Sequence, residues 1–396
     1  MQVNIFVRHV AGLAAALVIT APAHAQEAAG NSAPTLEVEA EYRVDAVMVA
    51  RGAGHGLRHV DYLSLAATVD LDAALGWQGA RLHAQGLAST GQAPNGLAGT
   101  LQGINNDEVE SDRAKLFQAY LEQDLDASGS SLRLGFSDLN SEFYMTEASG
   151  LLLAPAFGIG SELSATGPNG PSIFPSTALG ARLHLQSGGG GYVQAAVVDA
   201  RAGVLGDRGG VPRLFSKGAL LIAEAGLQSG GKLAAGTWAY SDRQDDIAAV
   251  DHAGRPKRRR AFGGYVLAQR RLATAGNTTL DAFVRAGLSD GHTTPFTGGW
   301  QAGLLISGVL SGRPDSQLSL GANQARLSRG YWLAEAATRQ HVRRHETGLE
   351  LTYSDRLAPW LTIQPDAQYV RSAVRAGGSR DALVFTLRLT VAPVRP

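Results

Sequence analysis

The sequence predicts an all-β fold: a transmembrane antiparallel β-barrel of about sixteen strands, with short periplasmic turns and longer extracellular loops. Three observations carry that prediction. Side-chain character alternates with a period of two through most of the chain beyond residue 25, as in a strand whose successive side chains face opposite sides. The connections between the alternating stretches are short and long in turn, which is the arrangement of outer-membrane barrels. Finally, no apolar run beyond residue 25 reaches the ~20 residues of a membrane-crossing helix. A chain that enters a bilayer without such helices must close into a barrel.

Export is read from the N-terminus. Residues 1–25 have the pattern of a signal peptide: Arg8 as the positive end, Val10 to Ala21 as the apolar stretch, and Ala23-His24-Ala25 before cleavage at Gln26. The apolar stretch is too short to cross ~30 Å of hydrocarbon. Residues 26–396 then form one barrel domain.

Composition narrows the function. The 396 residues carry 35 Lys+Arg against 35 Asp+Glu, so the net charge is zero, and a nucleic-acid partner is not expected. The 49 glycines follow no Gly-X-Y period and 44% of residues are hydrophobic, which excludes collagen and disorder. Without cysteine there is no disulfide framework and no Cys-based zinc site. No cofactor and no metal is expected.

The strands follow in order. In Leu36 to Ala46, Leu36, Val38, Ala40, Tyr42 and Val44 oppose Glu37, Glu39, Glu41, Arg43 and Asp45; a helix would scatter those charges around its surface. The same alternation runs through Tyr62–Asp72, Gly79–Leu87, Leu116–Leu125, Leu132–Ser137 and Ala178–Gln186. In Leu116–Leu125, Phe117, Ala119 and Leu121 form the apolar row. Gly218–Leu227 also reads as a strand. Tyr192–Asp199, Lys232–Ser241 and Ala261–Leu272 read as strands whose facing their side chains leave open. Stretches around Leu280–Leu288, Trp300–Ser307 and Gln317–Asn323 follow, then His345–Tyr353, Trp360–Val370 and Leu383–Val391. Short turns separate alternate pairs, for example Ala73–Gln78, Ser187–Gly190 and Ala273–Asn277. Mostly longer connections fall between: Val47–Asp61, Ala88–Lys115, Leu139–Thr177, Ala200–Lys217, Asp242–Arg260 and Arg326–Arg344. Trp77, Trp300 and Trp360 lie near strand ends, where an aromatic belt meets the membrane interface.

In such a barrel the apolar row meets lipid and the polar row lines water. Sixteen strands enclose an aqueous channel. The expected pore-lining residues are Arg81, Glu122, Arg133, Arg182, Glu224 and Arg285. Both signs are present, so no ion preference follows, and neutral polyols suit the site: hydroxyls need donors and acceptors, and sugar rings rest on aromatic faces. The longest connection, Leu139–Thr177, holds Phe143, Tyr144, Phe157, Phe174 and four prolines. It is too apolar to lie loose in water and is expected to fold inward and narrow the pore; an outer cap is the alternative.

Other motifs are weak. Arg255-Pro256-Lys257-Arg258-Arg259-Arg260 is a basic loop suited to anionic lipopolysaccharide in an exported chain. His341 and His345 have metal-like spacing but sit beside Arg343 and Arg344. No His-Glu-x-x-His is present. No enzyme is expected, with a barrel lipid hydrolase as the alternative of another class.

Several strings resemble a known family. They include Leu121-Glu122-Gln123, Leu132-Arg133-Leu134-Gly135, Asp138-Leu139-Asn140-Ser141-Glu142-Phe143 and Gly170-Pro171-Ser172-Ile173-Phe174-Pro175. Further on come Ala178-Leu179-Gly180-Ala181-Arg182-Leu183 and Glu346-Thr347-Gly348-Leu349-Glu350-Leu351-Thr352-Tyr353. Pro359-Trp360-Leu361 and Gln364-Pro365-Asp366-Ala367-Gln368-Tyr369-Val370 complete the set. Together they are similar to the carbohydrate-selective outer-membrane porins of the OprB type, over nearly all of the mature chain. The resemblance implies a sixteen-stranded barrel, often trimeric, in the outer membrane of a Gram-negative bacterium. It would pass glucose and related sugars passively, with Glu122, Arg133 and Arg182 at the pore. The chain departs from the usual barrel ending, since its last residue is Pro396.

Overall fold

The computed structural model describes residues 35–339, 342–374 and 381–393. The expected signal peptide, His341 and Pro396 lie outside them. The strands are β1 (Leu36–Arg51), β2 (Gly56–Asp70), β3 (Ala80–Gly91), β4 (Arg113–Asp124), β5 (Ser131–Ser137) and β6 (Ala178–Gln186). They continue with β7 (Gly191–Asp199), β8 (Ala219–Gln228), β9 (Gly231–Tyr240), β10 (Gln244–Val250), β11 (Pro256–Arg259) and β12 (Phe262–Ala275). The last are β13 (Thr278–Ser289), β14 (Phe296–Ser307), β15 (Gln317–Leu327), β16 (His345–Ala358), β17 (Leu361–Arg371) and β18 (Ala382–Val391). The strands other than β10 and β11 pair antiparallel in one sheet that β1 and β18 close into a barrel, and β10 and β11 form a separate antiparallel pair. Closure removes the sheet edges and satisfies every ladder group without water, which the hydrocarbon region demands.

The alternation of turns survives in detail. Residues 125–130, 187–190, 229–230, 276–277 and 359–360 turn tightly at one end. At the turn after β2, the short helix α1 (Leu71–Leu75) starts where Asp70 Oδ1 accepts the Asp72 and Ala73 amides at 2.8 and 3.1 Å. Gly76, at φ 73°, ends it. Segments 92–112, 138–177, 200–218, 241–261 and 328–344 lie at the other end. One expected long connection is corrected: β1 and β2 run on well past Val47 and Asp61, leaving only residues 52–55 between them.

The outward rows carry exposed apolar side chains, among them Leu65, Val266, Leu320, Leu351 and Phe385. Trp77, Trp300 and Trp360 are exposed too. Facing is now settled for the three ambiguous strands. Tyr192, Ala196 and Val198 of β7, Ala234, Trp238 and Tyr240 of β9, and Tyr265 and Leu267 of β12 point inward into an apolar cluster with Phe143, Tyr144 and Leu163. Val193, Leu233 and Val266 on the same strands are exposed outward. This wall is apolar on both faces because lipid covers one and chain covers the other, so its strands lose their alternation.

A second correction concerns Phe117, expected in the outward row. The β3–β4 register shifts where Gln85 pairs with Gln118 and Gly86 with Leu116, leaving Phe117 as the extra residue of a bulge. Phe117 is thereby turned inward, 5% exposed, and packs with Tyr62, Leu87 and Phe174.

Candidate functional site

Two irregular segments occupy the lumen. The first, 138–177, contains the short helix α3 (Ser161–Ser164) and buries Phe143, Tyr144 and Phe157 almost completely; α2 (Asn95–Ala98) belongs to the second. Irregular backbone inside a barrel has no ladder partners, so the N–H and C=O groups that its own turns leave over must be satisfied by side chains. The wall supplies them as charges. Glu224 of β8 accepts the Tyr144 amide at 3.0 Å, and also the Tyr192 and Tyr265 hydroxyls at 2.7 and 2.8 Å. Glu350 of β16 accepts the amides of Leu153 and Ala154, the latter at 3.0 Å. Arg285 of β13 donates to the carbonyls of Tyr144 and Gly158, both at 2.8 Å, and of Ala156 at 3.1 Å. Tyr144 stacks on Tyr265, with ring centroids 4.0 Å apart. The segment folds inward, as its apolar composition predicts, and it is fastened by buried wall charges.

Glu162 of α3 is fully buried and accepts the Tyr144 hydroxyl at 2.9 Å. Its carboxylate fills a pit left by wall glycines: a Cβ on Gly287 would stand 1.9 Å from Glu162 Oε1. Burial raises the Glu162 pKa above the ordinary glutamate value.

The second inward segment, 92–112, gave no signal in the sequence. Glu346 of β16 accepts the Leu101 and Gln102 amides, both at 2.9 Å. Gln368 of β17 donates to the Ile104 carbonyl at 2.9 Å. Arg388 of β18 pairs with Asp45 of β1 through two 2.7 Å bonds and donates to Asn106 at 2.9 Å. Asp107 lies 2.8 Å from Arg388 and 2.9 Å from Arg43. The two segments meet where Ser161 Oγ donates to Gln102 at 3.0 Å. Glu108 accepts the Asn95 amide at 3.0 Å, yet burial lifts its pKa from 4.5 to about 7.

The wall formed by β3 to β6 keeps its charges closer to water. Arg182 Nη2 donates to Glu122 at 2.7 Å and Arg133 Nη2 donates to Glu122 at 3.1 Å. Glu142, from the start of the first segment, accepts from Arg182 Nε at 2.5 Å and faces Arg133 Nη1 at 3.0 Å. Two arginines and two glutamates alternate, so their charges cancel. Arg133 also lies 4.1 Å over the Tyr120 ring, whose neighbour His83 stacks at 4.8 Å; Arg43 lies 4.0 Å over Tyr62. Each of these two tyrosine rings therefore has one face occupied by arginine.

Of the six expected pore-lining residues, Glu122, Arg133 and Arg182 come together in this cluster. Arg81 lies apart, nearer the periplasmic end of β3, where it holds Asp124 at 2.7 and 3.0 Å. Glu224 and Arg285 face the lumen but are corrected: at 1% and 0% exposure they are covered by the first segment and fasten it instead of meeting open water. Glu142, Tyr120 and Arg43 were not foreseen. Glu142 stood in one of the strings that carry the family resemblance, and Tyr120 in the polar row of its strand.

A protein-family model described as "Carbohydrate-selective porin, OprB family" matches residues 54–392. No curated protein matches the chain in sequence. Among solved structures, the high-pH structure of Pseudomonas putida OprB superposes with a TM-score of 0.79 at 19% identity, covering 91% of this chain and 94% of that one. The outer membrane channel DcaP of Acinetobacter baumannii gives 0.54 at 9% identity over 90% and 97% of the two chains. An anion-selective porin from Comamonas acidovorans gives 0.53 at 12% identity over 90% and 99%. At these identities the structures speak to the fold, a sixteen-stranded outer-membrane barrel, while the family match spans most of the sequence: the chain belongs to the carbohydrate-selective porins of the OprB family.

Proposed function

We propose that this outer-membrane barrel passes small neutral carbohydrates, glucose-like sugars or polyols, by passive diffusion through a lumen narrowed by segments 92–112 and 138–177. The observation that carries the reading is the charge-balanced cluster of Arg133, Arg182, Glu122 and Glu142. Mutual neutralisation leaves little net charge to attract ions, while guanidinium and carboxylate groups still offer donors and acceptors to hydroxyls. Such interactions hold a sugar weakly enough for it to leave, as conduction requires. Arg81 at the exit supplies a further donor of this kind.

Reconstitution tests the reading: ion conductance is measured with and without glucose and maltose-type sugars. Sugar-dependent block is expected. Absence of any channel would sink the reading, and a channel indifferent to every sugar would make it a general diffusion porin. A lipid hydrolase would instead release fatty acid from vesicles. The exposed β10–β11 hairpin, with Arg255, Lys257 and Arg260, supports contact with anionic lipopolysaccharide. A homotrimer, expected from the family resemblance, is checked by the native mass.

A further inference from the structure

We infer that the lipid-facing surface of β6 to β12 holds a phosphate-bearing diacyl lipid of the periplasmic leaflet, its head group on Arg270 and one acyl chain in the groove above. This rests on the wall's outer surface and is independent of the sugar reading.

The groove has a volume of ≈720 Å³. Its form follows from register. Leu185, Val193, Ala225, Ala235 and Val266 are cross-strand partners in one row over five strands. Two alanines stand between two valines, so the row dips across three strand spacings of about 4.8 Å each. Leu227 walls the periplasmic side. The lining is mostly apolar, with Gln186 and Ser187 at its periplasmic edge, which suits a hydrocarbon chain next to a polar head group.

The second observation is a charge on the lipid side. Arg270 pairs across the sheet with Ala282 and Gly231, in the outward row of β12 that includes Val266 and Ala268. It is exposed and makes no ion pair or hydrogen bond among the described residues, whereas its neighbour Arg271 turns inward to Asp281 at 3.1 Å. An outward arginine is costly at the bilayer midplane and nearly free of cost at the interface. Arg270 lies near the turn at 229–230 and the turn at 276–277, so its position is the periplasmic interface. Two residues of strand separate it from Ala268, about 7 Å on the same face, with the Val266 row beyond. A phosphate on Arg270 therefore starts its acyl chain at the mouth of the groove, directed toward the midplane. Gly231 beside Arg270 leaves room for the guanidinium to turn toward a head group.

Detergent-solubilised full-length protein is titrated with phosphatidylglycerol or with diacylglycerol of the same chains, and bound lipid is read by native mass spectrometry. Phosphatidylglycerol is expected to bind about fivefold more tightly than diacylglycerol, the scale of one basic residue at a membrane surface. R270Q should abolish that preference, R270K should keep most of it, and A235F should weaken both lipids by filling the groove. A preference unchanged in R270Q overturns the head-group assignment. Equal binding in A235F, or a dimer mass that disappears in A235F without lipid, overturns the acyl-chain assignment, the latter giving the groove to a second copy. Sugar-dependent conductance should be unchanged in R270Q.

Discussion

Replacing Arg285 by methionine tests whether buried wall charge holds the constriction. Methionine keeps much of the volume and removes all donors. The native guanidinium makes three bonds of 2.8 to 3.1 Å to carbonyls of one segment. Charge-assisted bonds contribute ~1.5–3 kcal/mol each. The arginine is wholly buried, and its own desolvation offsets a large part of the sum. Its removal leaves three carbonyls without that donor, at about 1–3 kcal/mol each and so roughly 3–9 kcal/mol together. At 1.4 kcal/mol per tenfold, even the lower figure moves the docked-to-undocked equilibrium of segment 138–177 about a hundredfold. The bonds lie between segment and wall and not within the strand ladder, so the barrel itself should stay closed. Single-channel recording in a planar bilayer should show higher and noisier conductance, with larger oligosaccharides entering. A folded R285M barrel with wild-type conductance and wild-type sugar exclusion would refute the reasoning.

The other predictions concern charge, acidity and space. R182Q leaves Glu122 and Glu142 undercompensated, so the reversal potential in a salt gradient should shift toward cation selectivity. Glucose block should weaken about tenfold, the scale of a single charged hydrogen bond; unchanged values would remove Arg182 from the pathway. Glu108, lifted to about 7, binds its proton more tightly when segment 92–112 is docked than when it is free at 4.5. Docking is therefore favoured below about 4.5, weakens as pH rises to about 7, and is level beyond. Open-channel noise should be greater at pH 8 than at pH 5, and E108Q should erase the difference. G287A places a Cβ against Glu162 and should undock the first segment at a cost of about 1–3 kcal/mol, with partial recovery in the double variant G287A/E162A, both read as sugar exclusion.

The barrel was legible because lipid outside and water inside impose opposite demands on adjacent residues, and β1 with its glutamate row shows this most plainly. Where the inner face meets chain in place of water, as on β7, β9 and β12, the contrast vanishes and facing could not be read. The Phe117 bulge was illegible for another reason: an inserted residue changes the phase of pairing without a distinctive side chain. Segment 138–177 announced itself by apolar content. Segment 92–112 did not, because Asn105, Asn106 and Asp107 enter through polar interactions with Asp45, Arg388 and Arg43, which resemble those of a solvated loop until the wall is in place. Three cluster members came from strand phase and family strings, while Glu142 lies outside any strand and so outside any periodicity argument.

The Asp45–Arg388 pair joins residues 343 positions apart across the seam between first and last strands. Neither charge has the other until that seam forms, and Asn106 and Asp107 have no complete receptor before it does. The second segment thus acts as a sensor of barrel completion. A barrel still open at that seam would already carry segment 138–177 on β8, β13 and β16 but lack the full anchorage of segment 92–112, so the second constriction is completed only in the closed ring.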